Sequence, residues 1–102
     1  MKTDVAIVGA GPAGLMLGHL LRAAGVACVV IERQSGDYIL SRIRAGVLER
    51  GTVDLMVRLG PDARMRAEGL PHDRFNLADG ERLIRIDVAA LTGHSVMVYG
   101  DP

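Results

Sequence analysis

The feature that most constrains the fold is the glycine cluster in "VAIVGAGPAGLMLG", which follows a short apolar run at residues 5 to 8. Glycine loses more backbone entropy on folding than any other residue, so such a cluster needs a structural reason. A short continuous apolar run is typical of a strand buried on both faces, and it recurs at residues 26 to 31. Residues 12 to 24 between the two runs have helical spacing. The sequence therefore predicts a β-α-β unit with two parallel, adjacent strands.

The spacing of the glycines predicts a dinucleotide site at this strand-to-helix turn. Gly9 permits the tight turn, Gly11 lets phosphates approach the backbone, and Gly14 lets helix and strand pack closely. The helix would direct free N–H groups at the anion, and Pro12 in its first turn has no N–H to leave unpaired. Glu32 directly follows the second strand, where it can hydrogen-bond the hydroxyls of an adenosine ribose and would repel a 2′-phosphate.

The remaining residues predict a mixed α/β chain. We expect one face of the first helix to carry the apolar residues Ala13, Leu17, Leu20, Leu21 and Ala24. Residues 33 to 46 have no sustained period and predict a long loop, whereas residues 47 to 59 and 62 to 68 predict helices. Asp79-Gly80 predicts a type I′ turn in a β-hairpin, and residues 96 to 99 a last strand.

Composition excludes several classes of function. The net charge is zero and only three residues are aromatic, which argues against nucleic-acid binding through a basic field or a stacking surface. No run of 18 apolar residues is present, so we expect no membrane span. The single cysteine, Cys28, lies in an apolar run, where a core position and a reducing, cytoplasmic setting are expected. We predict no metal site.

The glycine motif suits FAD and NAD equally, and the residues after Glu32 favour FAD. An NAD-binding half would continue into another helix and a third parallel strand, whereas here an irregular segment carries Arg33, Arg42 and Arg44. If this segment is extended, Arg42 and Arg44 point the same way, and two guanidinium groups on one side can clamp a phosphate.

Three stretches, "VAIVGAGPAGL", "IERQSGDYILSRIRAGVLERGTVDLM" and "RIDVAALTGHSVMVYG", carry a resemblance over nearly the whole chain. Together they resemble the N-terminal part of the 4-hydroxybenzoate 3-monooxygenases, which are class A flavoprotein aromatic hydroxylases. The resemblance implies a Rossmann-like FAD-binding βαβ unit followed by helices and a β-hairpin. It also implies an enzyme that binds FAD and uses NADPH and O2 to hydroxylate a phenolic acid such as 4-hydroxybenzoate ortho to its hydroxyl group.

The resemblance also assigns expected roles to individual residues. The expected FAD contacts are Gly9, Gly11, Pro12, Ala13, Gly14, Glu32, Arg42, Ile43, Arg44, Ala45, Gly46 and Val47. The expected NADPH contacts are Arg33, Gln34, Tyr38 and Arg42. His72 matches the outer end of the family's proton relay to the substrate phenol. Asp101 is a further expected FAD contact. Two positions depart from the family: Ala13 stands where relatives often have Ser, and Asp101 stands where the family has a different polar residue that contacts FAD.

Two other functions stay open at this point: a non-catalytic module that binds FAD or ADP, and a fragment of an NAD-dependent dehydrogenase. Because family members are several times longer, we expect residues 1 to 102 to form the N-terminal part of an FAD-binding domain. The remainder of that domain and the substrate domain would lie outside this chain. We expect the isolated fragment to be inactive, and the full-length protein to be compatible with a homodimer.

Overall fold

The computed structural model describes residues 1–42 and 46–99 and divides the chain into two compact units, Met1–Arg44 and Ala45–Pro102. The elements are β1 (Val5–Val8), α1 (Pro12–Ala23), β2 (Cys28–Ile31), α2 (Gly36–Ser41), β3 (Val47–Leu48), α3 (Arg50–Leu59), α4 (Ala63–Glu68), β4 (Leu70–His72), β5 (Arg74–Asp79), β6 (Arg82–Asp87), α5 (Val88–Thr92) and β7 (Val96–Val98). The predicted mixed α/β class is confirmed.

The first unit contains the predicted β-α-β arrangement. β1 and β2 pair in parallel, with Val5 opposite Cys28 and Val8 opposite Ile31. α1 connects them, begins after Gly11 with Pro12 in its first turn, and is followed by Gly25 at φ 74°. Because parallel neighbours need a crossover between them, the two apolar runs and the helical spacing between them predict this topology. Of the two strands, only Ile7 is buried, although both runs were expected to be buried on both faces.

The apolar residues predicted to share one face of α1 are unequally buried: Leu20 and Leu21 are half-buried, whereas the other three are exposed. Leu17 is 44% exposed, and Ala13 and Ala24 are also exposed. The helix lies close to the strands at Gly18, where an added Cβ atom would be 3.7 Å from Val30 Cγ2 and 3.8 Å from Ile7 Cδ1. Small residues let the helix backbone approach the strands closely, as the glycine spacing predicted.

Residues 33 to 46 were expected to form a loop, and this prediction is wrong for α2. Ser35 caps this short helix, its hydroxyl oxygen accepting a hydrogen bond from Tyr38 N at 3.1 Å, and Asp37 lies in the first turn. A cap and an acidic first turn stabilise a helix that is too short to show an apolar period.

The second unit contains a three-stranded antiparallel sheet in the order β3-β7-β4. β3 occupies the beginning of the predicted helix 47 to 59, which here starts only at Arg50. The predicted short helix is α4, the predicted last strand is β7, and β4 was not predicted. β4 contains Pro71 and is only three residues long, so it offers little periodicity to recognise.

The predicted hairpin is present as β5 and β6, although its turn differs from the prediction. Asp79 pairs with Arg82, which places Gly80 and Glu81 at the centre of the turn. Gly80 has φ 59°, and no residue other than glycine has positive φ among those described. A type I′ turn needs two such residues, whereas a type II′ turn needs only the first, so the geometry fits type II′.

Few side chains are fully enclosed in the described residues. Ile7 in β1 and Met65 in α4 are the buried hydrophobic residues, at 6% and 3% exposure. No helix within residues 1–42 and 46–99 is long and apolar enough to cross a membrane. Ile7 lies next to the glycine turn, since a Cβ atom on Gly14 would be 3.4 Å from Ile7 Cγ2.

Candidate functional site

The glycine turn after β1 is shaped by close backbone contacts. Gly9 has φ 110°, a conformation that glycine adopts at no steric cost, and its N–H donates to the Ile31 carbonyl oxygen at 2.7 Å. A Cβ atom on Gly14 would lie 2.0 Å from the Gly9 carbonyl oxygen. The turn and the first helical turn thus pack backbone against backbone at Gly14, which has no room for a side chain, whereas Gly9 is constrained by its positive φ.

Gly11 differs from Gly14 because the space around it is open, and from Gly9 because its φ is negative, at −73°. No atom lies within 4 Å of the position that its Cβ would occupy. Gly11 is also the N-cap of α1, and no side chain of the described residues caps this N-terminus. The first N–H groups of a helix carry a partial positive charge, so this open end can receive an anion such as a diphosphate.

Glu32 connects the end of β2 to the glycine turn. Its Oε2 accepts a hydrogen bond from Ala10 N at 2.8 Å, and its Oε1 accepts one from Gln34 N at 3.0 Å. These N–H donors, Ala10 first, hold the pKa of the Glu32 carboxyl below its ordinary value. The group is therefore an anion at neutral pH, and its two oxygens keep acceptor capacity that ribose hydroxyls can use.

A cleft of about 470 Å³ opens at the carboxyl ends of β1 and β2. This edge of a parallel sheet is where open α/β folds bind ligands. The cleft is lined by Val8, Gly9, Gly11, Ile31, Glu32, Arg33, Gln34, Tyr38, Ile39 and Arg42. The structure thus brings together the glycine turn, the acidic residue and the described residues of the predicted basic segment.

Tyr38 and Arg42 form a pair at one side of this cleft. Arg42 follows the last turn of α2, and its Nη1 donates to the Tyr38 hydroxyl oxygen at 3.2 Å. The guanidinium carbon lies 5.4 Å from the centre of the Tyr38 ring, which is within the range of a cation–π contact. Tyr38 thereby orients a guanidinium group that remains exposed to solvent.

The other predicted site residues lie elsewhere or outside the described residues. In the second unit, Gly46 precedes β3, Val47 begins it, and His72 is an exposed residue of β4 paired with Val96. Pro12 and Ala13 occupy the exposed first turn of α1. Predictions for four residues fall outside the described ranges: Ile43, Arg44, Ala45 and Asp101.

Sequence reasoning missed several residues that line or support the cleft. Val8 and Ile31 line it at the ends of the paired strands, and the position of ligands in parallel sheets could have indicated them. Ile39 required knowledge of α2. The hydrogen bond from Ala10 N to Glu32 had no signal in the sequence, because it depends on how close the turn comes to the neighbouring strand.

Comparisons with known proteins agree with this geometry. Residues 2–102 match the family model described as FAD binding domain. The chain is 50% identical to p-hydroxybenzoate hydroxylase of Acinetobacter baylyi (strain ATCC 33305 / BD413 / ADP1) over 101 residues, covering 98% of this chain and 25% of that protein. It is 42% identical to a protein of Rhodococcus jostii (strain RHA1) named "Probable NADH-specific resorcinol 4-hydroxylase", covering 61% of this chain and 11% of the other.

A solved structure is also similar. The crystal structure of p-nitrophenol 4-monooxygenase from Pseudomonas putida DLL-E4 superposes with a TM-score of 0.76 at 27% identity, covering 94% of this chain and 25% of that one. The chain thus spans about a quarter of the length of p-hydroxybenzoate hydroxylase and of this structural neighbour. With the family model matched over residues 2–102, the chain belongs to the FAD binding domain family, and its relatives include flavoprotein aromatic hydroxylases.

Proposed function

We propose that this chain supplies the N-terminal part of the FAD-binding domain of an aromatic monooxygenase. The complete enzyme would use NADPH and O2 to hydroxylate a phenolic acid such as 4-hydroxybenzoate ortho to its hydroxyl group. The observation that carries the proposal is the open turn at Gly11 with the Glu32 carboxylate fixed beside it. The identity of 50% to a protein named p-hydroxybenzoate hydroxylase supports the choice of substrate class.

The residues of the glycine turn fit a flavin dinucleotide. The free N–H groups at the start of α1 would bind the diphosphate, and the absence of a side chain at Gly11 leaves room for it. Glu32 would accept hydrogen bonds from the adenosine ribose while remaining bound to Ala10 N. When bound, FAD supplies the electron transfer and oxygen activation that no amino-acid side chain provides.

We propose that NADPH binds to the exposed residues after β2, which are Arg33, Gln34, Tyr38 and Arg42. Two guanidinium groups and a phenol hydroxyl suit a phosphate, and Arg42 is already oriented by Tyr38. NADH is the competing reductant, because one relative is named as NADH-specific. Exposed residues on a short helix can change coenzyme preference without altering the fold, so the two coenzymes need a direct comparison.

The roles of the remaining predicted residues belong to the same proposal. His72 would exchange a proton at its imidazole between solvent and the substrate phenol, which suits its exposed position in β4. Arg42, Ile43, Arg44, Ala45, Gly46, Val47 and Asp101 would contact FAD. A cytoplasmic location is proposed from the use of NADPH and from the free thiol of Cys28.

The test is to purify the complete protein and record its visible absorbance. We expect bound FAD, faster oxidation of NADPH than of NADH, and a dihydroxylated product when 4-hydroxybenzoate and O2 are supplied. The variant for comparison is Glu32→Ala, which removes the proposed hydrogen-bond acceptor for the ribose and should therefore lose bound FAD.

Three outcomes would contradict parts of the proposal. A protein that neither contains FAD nor takes it up refutes it entirely. A flavoprotein that oxidises no reduced nicotinamide coenzyme would be a non-catalytic binding module. Tight binding of NAD without FAD would favour a dehydrogenase.

A further inference from the structure

Gly46 and Tyr99 form a backbone contact next to the segment proposed to lie along the flavin. Tyr99 N donates to the Gly46 carbonyl oxygen at 2.8 Å. This bond extends the antiparallel pairing of β3 with β7, in which Val47 lies opposite Val98 and Leu48 opposite Met97. The chain immediately before β3 is therefore held by the residue immediately after β7.

This contact leaves no room for a side chain at position 46. A Cβ atom on Gly46 would lie 2.9 Å from the Tyr99 carbonyl oxygen and 3.7 Å from Tyr99 Cβ. Since the nearest atom belongs to the backbone, a side chain could be accommodated only if β3 and the end of β7 moved apart. Gly51, in the first turns of α3, has no atom within 4 Å of its Cβ position.

Tyr99 is itself anchored in the second unit. Its residue is half-buried, and burial raises the pKa of its phenol, with the nearby Glu68 carboxylate acting in the same direction. The partner of Gly46 is therefore a partly buried residue whose ring can hold this end of the contact.

We propose that Tyr99 is a positioning residue for the flavin, acting through its backbone contact with Gly46. The inference rests on the proposed function, in which Gly46 and Val47 contact FAD. The Gly46–Tyr99 contact holds Gly46 in the antiparallel pairing beside Val47, and glycine at position 46 is what allows the two backbones to approach. The residue acts through another and does not touch the reacting atoms.

The experiment compares four variants of the complete protein, each reconstituted with FAD. Gly46→Ala adds a Cβ atom that clashes with the Tyr99 carbonyl oxygen, and Gly51→Ala adds a Cβ atom where no other atom is near. Tyr99→Ala removes the ring that anchors the contact, and Tyr99→Phe keeps that ring. The measurements are the FAD dissociation constant, the visible circular dichroism of the bound flavin, its reduction potential and the melting temperature of the FAD-free protein.

We expect Gly46→Ala to weaken FAD binding on the order of tenfold, because forcing a methyl group into a closed contact displaces the backbone. Its flavin circular dichroism and reduction potential should also change, and Tyr99→Ala should change them in the same direction. Gly51→Ala and Tyr99→Phe should match the wild type in both signals.

The inference is overturned if Gly46→Ala lowers only the melting temperature while the flavin signals stay as in the wild type, since the contact would then be merely structural. If Gly46→Ala does not fold, unchanged flavin signals in Tyr99→Ala overturn it equally. A wild-type protein that binds no FAD refutes the proposed function instead, which keeps the two failures distinct.

Discussion

The most direct perturbation of the glycine turn is Gly14→Ala. The added Cβ would lie 2.0 Å from the Gly9 carbonyl oxygen, 3.1 Å from the Gly9 carbonyl carbon and 3.4 Å from Ile7 Cγ2. Real Cβ atoms essentially never come closer than 3.0 Å, so α1 and the turn must separate by backbone movement. We place this cost near the upper end of the range for overpacking, about 3 kcal/mol.

Part of this cost is offset because alanine favours the helical conformation by about 1 kcal/mol relative to glycine. The net loss of unfolding free energy is therefore about 2 kcal/mol. Opening of the turn to relieve the clash would also displace the N–H groups proposed to receive the diphosphate, so we expect FAD affinity to fall about tenfold or more. Gly51→Ala is the matched control, since it gains the same helical preference in α3 without a clash.

Both quantities can be measured on the complete protein. Urea denaturation of the FAD-free protein gives the change in unfolding free energy, and quenching of flavin fluorescence gives the dissociation constant. Gly51→Ala should be as stable as the wild type or slightly more stable, with unchanged affinity. If Gly14→Ala is as stable as Gly51→Ala and binds FAD as tightly, the close packing of α1 on the turn is not what Gly14 provides.

Three further predictions concern the charged and polar residues of the proposed enzyme. The pKa of Glu32 is lowered from its ordinary value of 4.5, so the carboxylate stabilises the fold fully above pH 4.5 and loses this effect as the pH falls through its pKa in the folded protein. Melting temperatures of the FAD-free protein measured from pH 7 to pH 3 should show this loss, and those of Glu32→Gln should not. Arg42→Ala should raise the KM for NADPH about tenfold with little change in kcat, and Tyr38→Phe, which loses only the 3.2 Å hydrogen bond, should raise it less. If steady-state assays show that the KM for NADH rises equally, Arg42 does not recognise the 2′-phosphate of NADPH. His72→Asn should slow hydroxylation about tenfold or more and alter the pH dependence of kcat, while the affinity for FAD stays constant. An unchanged pH dependence of kcat would show that His72 is not part of the proton relay.

The β-α-β unit could be predicted because its signals are local and strong. Two short apolar runs, a glycine spacing and a helical period each predict one element, and the crossover rule then places the strands side by side. Glu32 could be predicted for the same reason, since it directly follows a strand whose carboxyl end must face the turn. The sequence also predicted the hairpin, because alternating residues flank a glycine.

The elements that could not be predicted depend on short or distant interactions. α2 has only six residues, and its stability comes from the Ser35 cap and from Asp37 in its first turn instead of an apolar stripe. β3 has two residues and exists because β7, far along the chain, pairs with it.

The exposure of the strand ends indicates how the site and the fold depend on each other. Val8 is 86% exposed and Ile31 is 53% exposed, although both continue runs that are apolar along their whole length. Both residues line the cleft beside Glu32, at the edge where parallel sheets receive their ligands. A bound adenosine would cover part of this apolar surface while its ribose hydroxyls met the carboxylate. Because a ligand that binds only the folded state stabilises that state, FAD would then complete the packing at the end of the sheet as well as supply the chemistry.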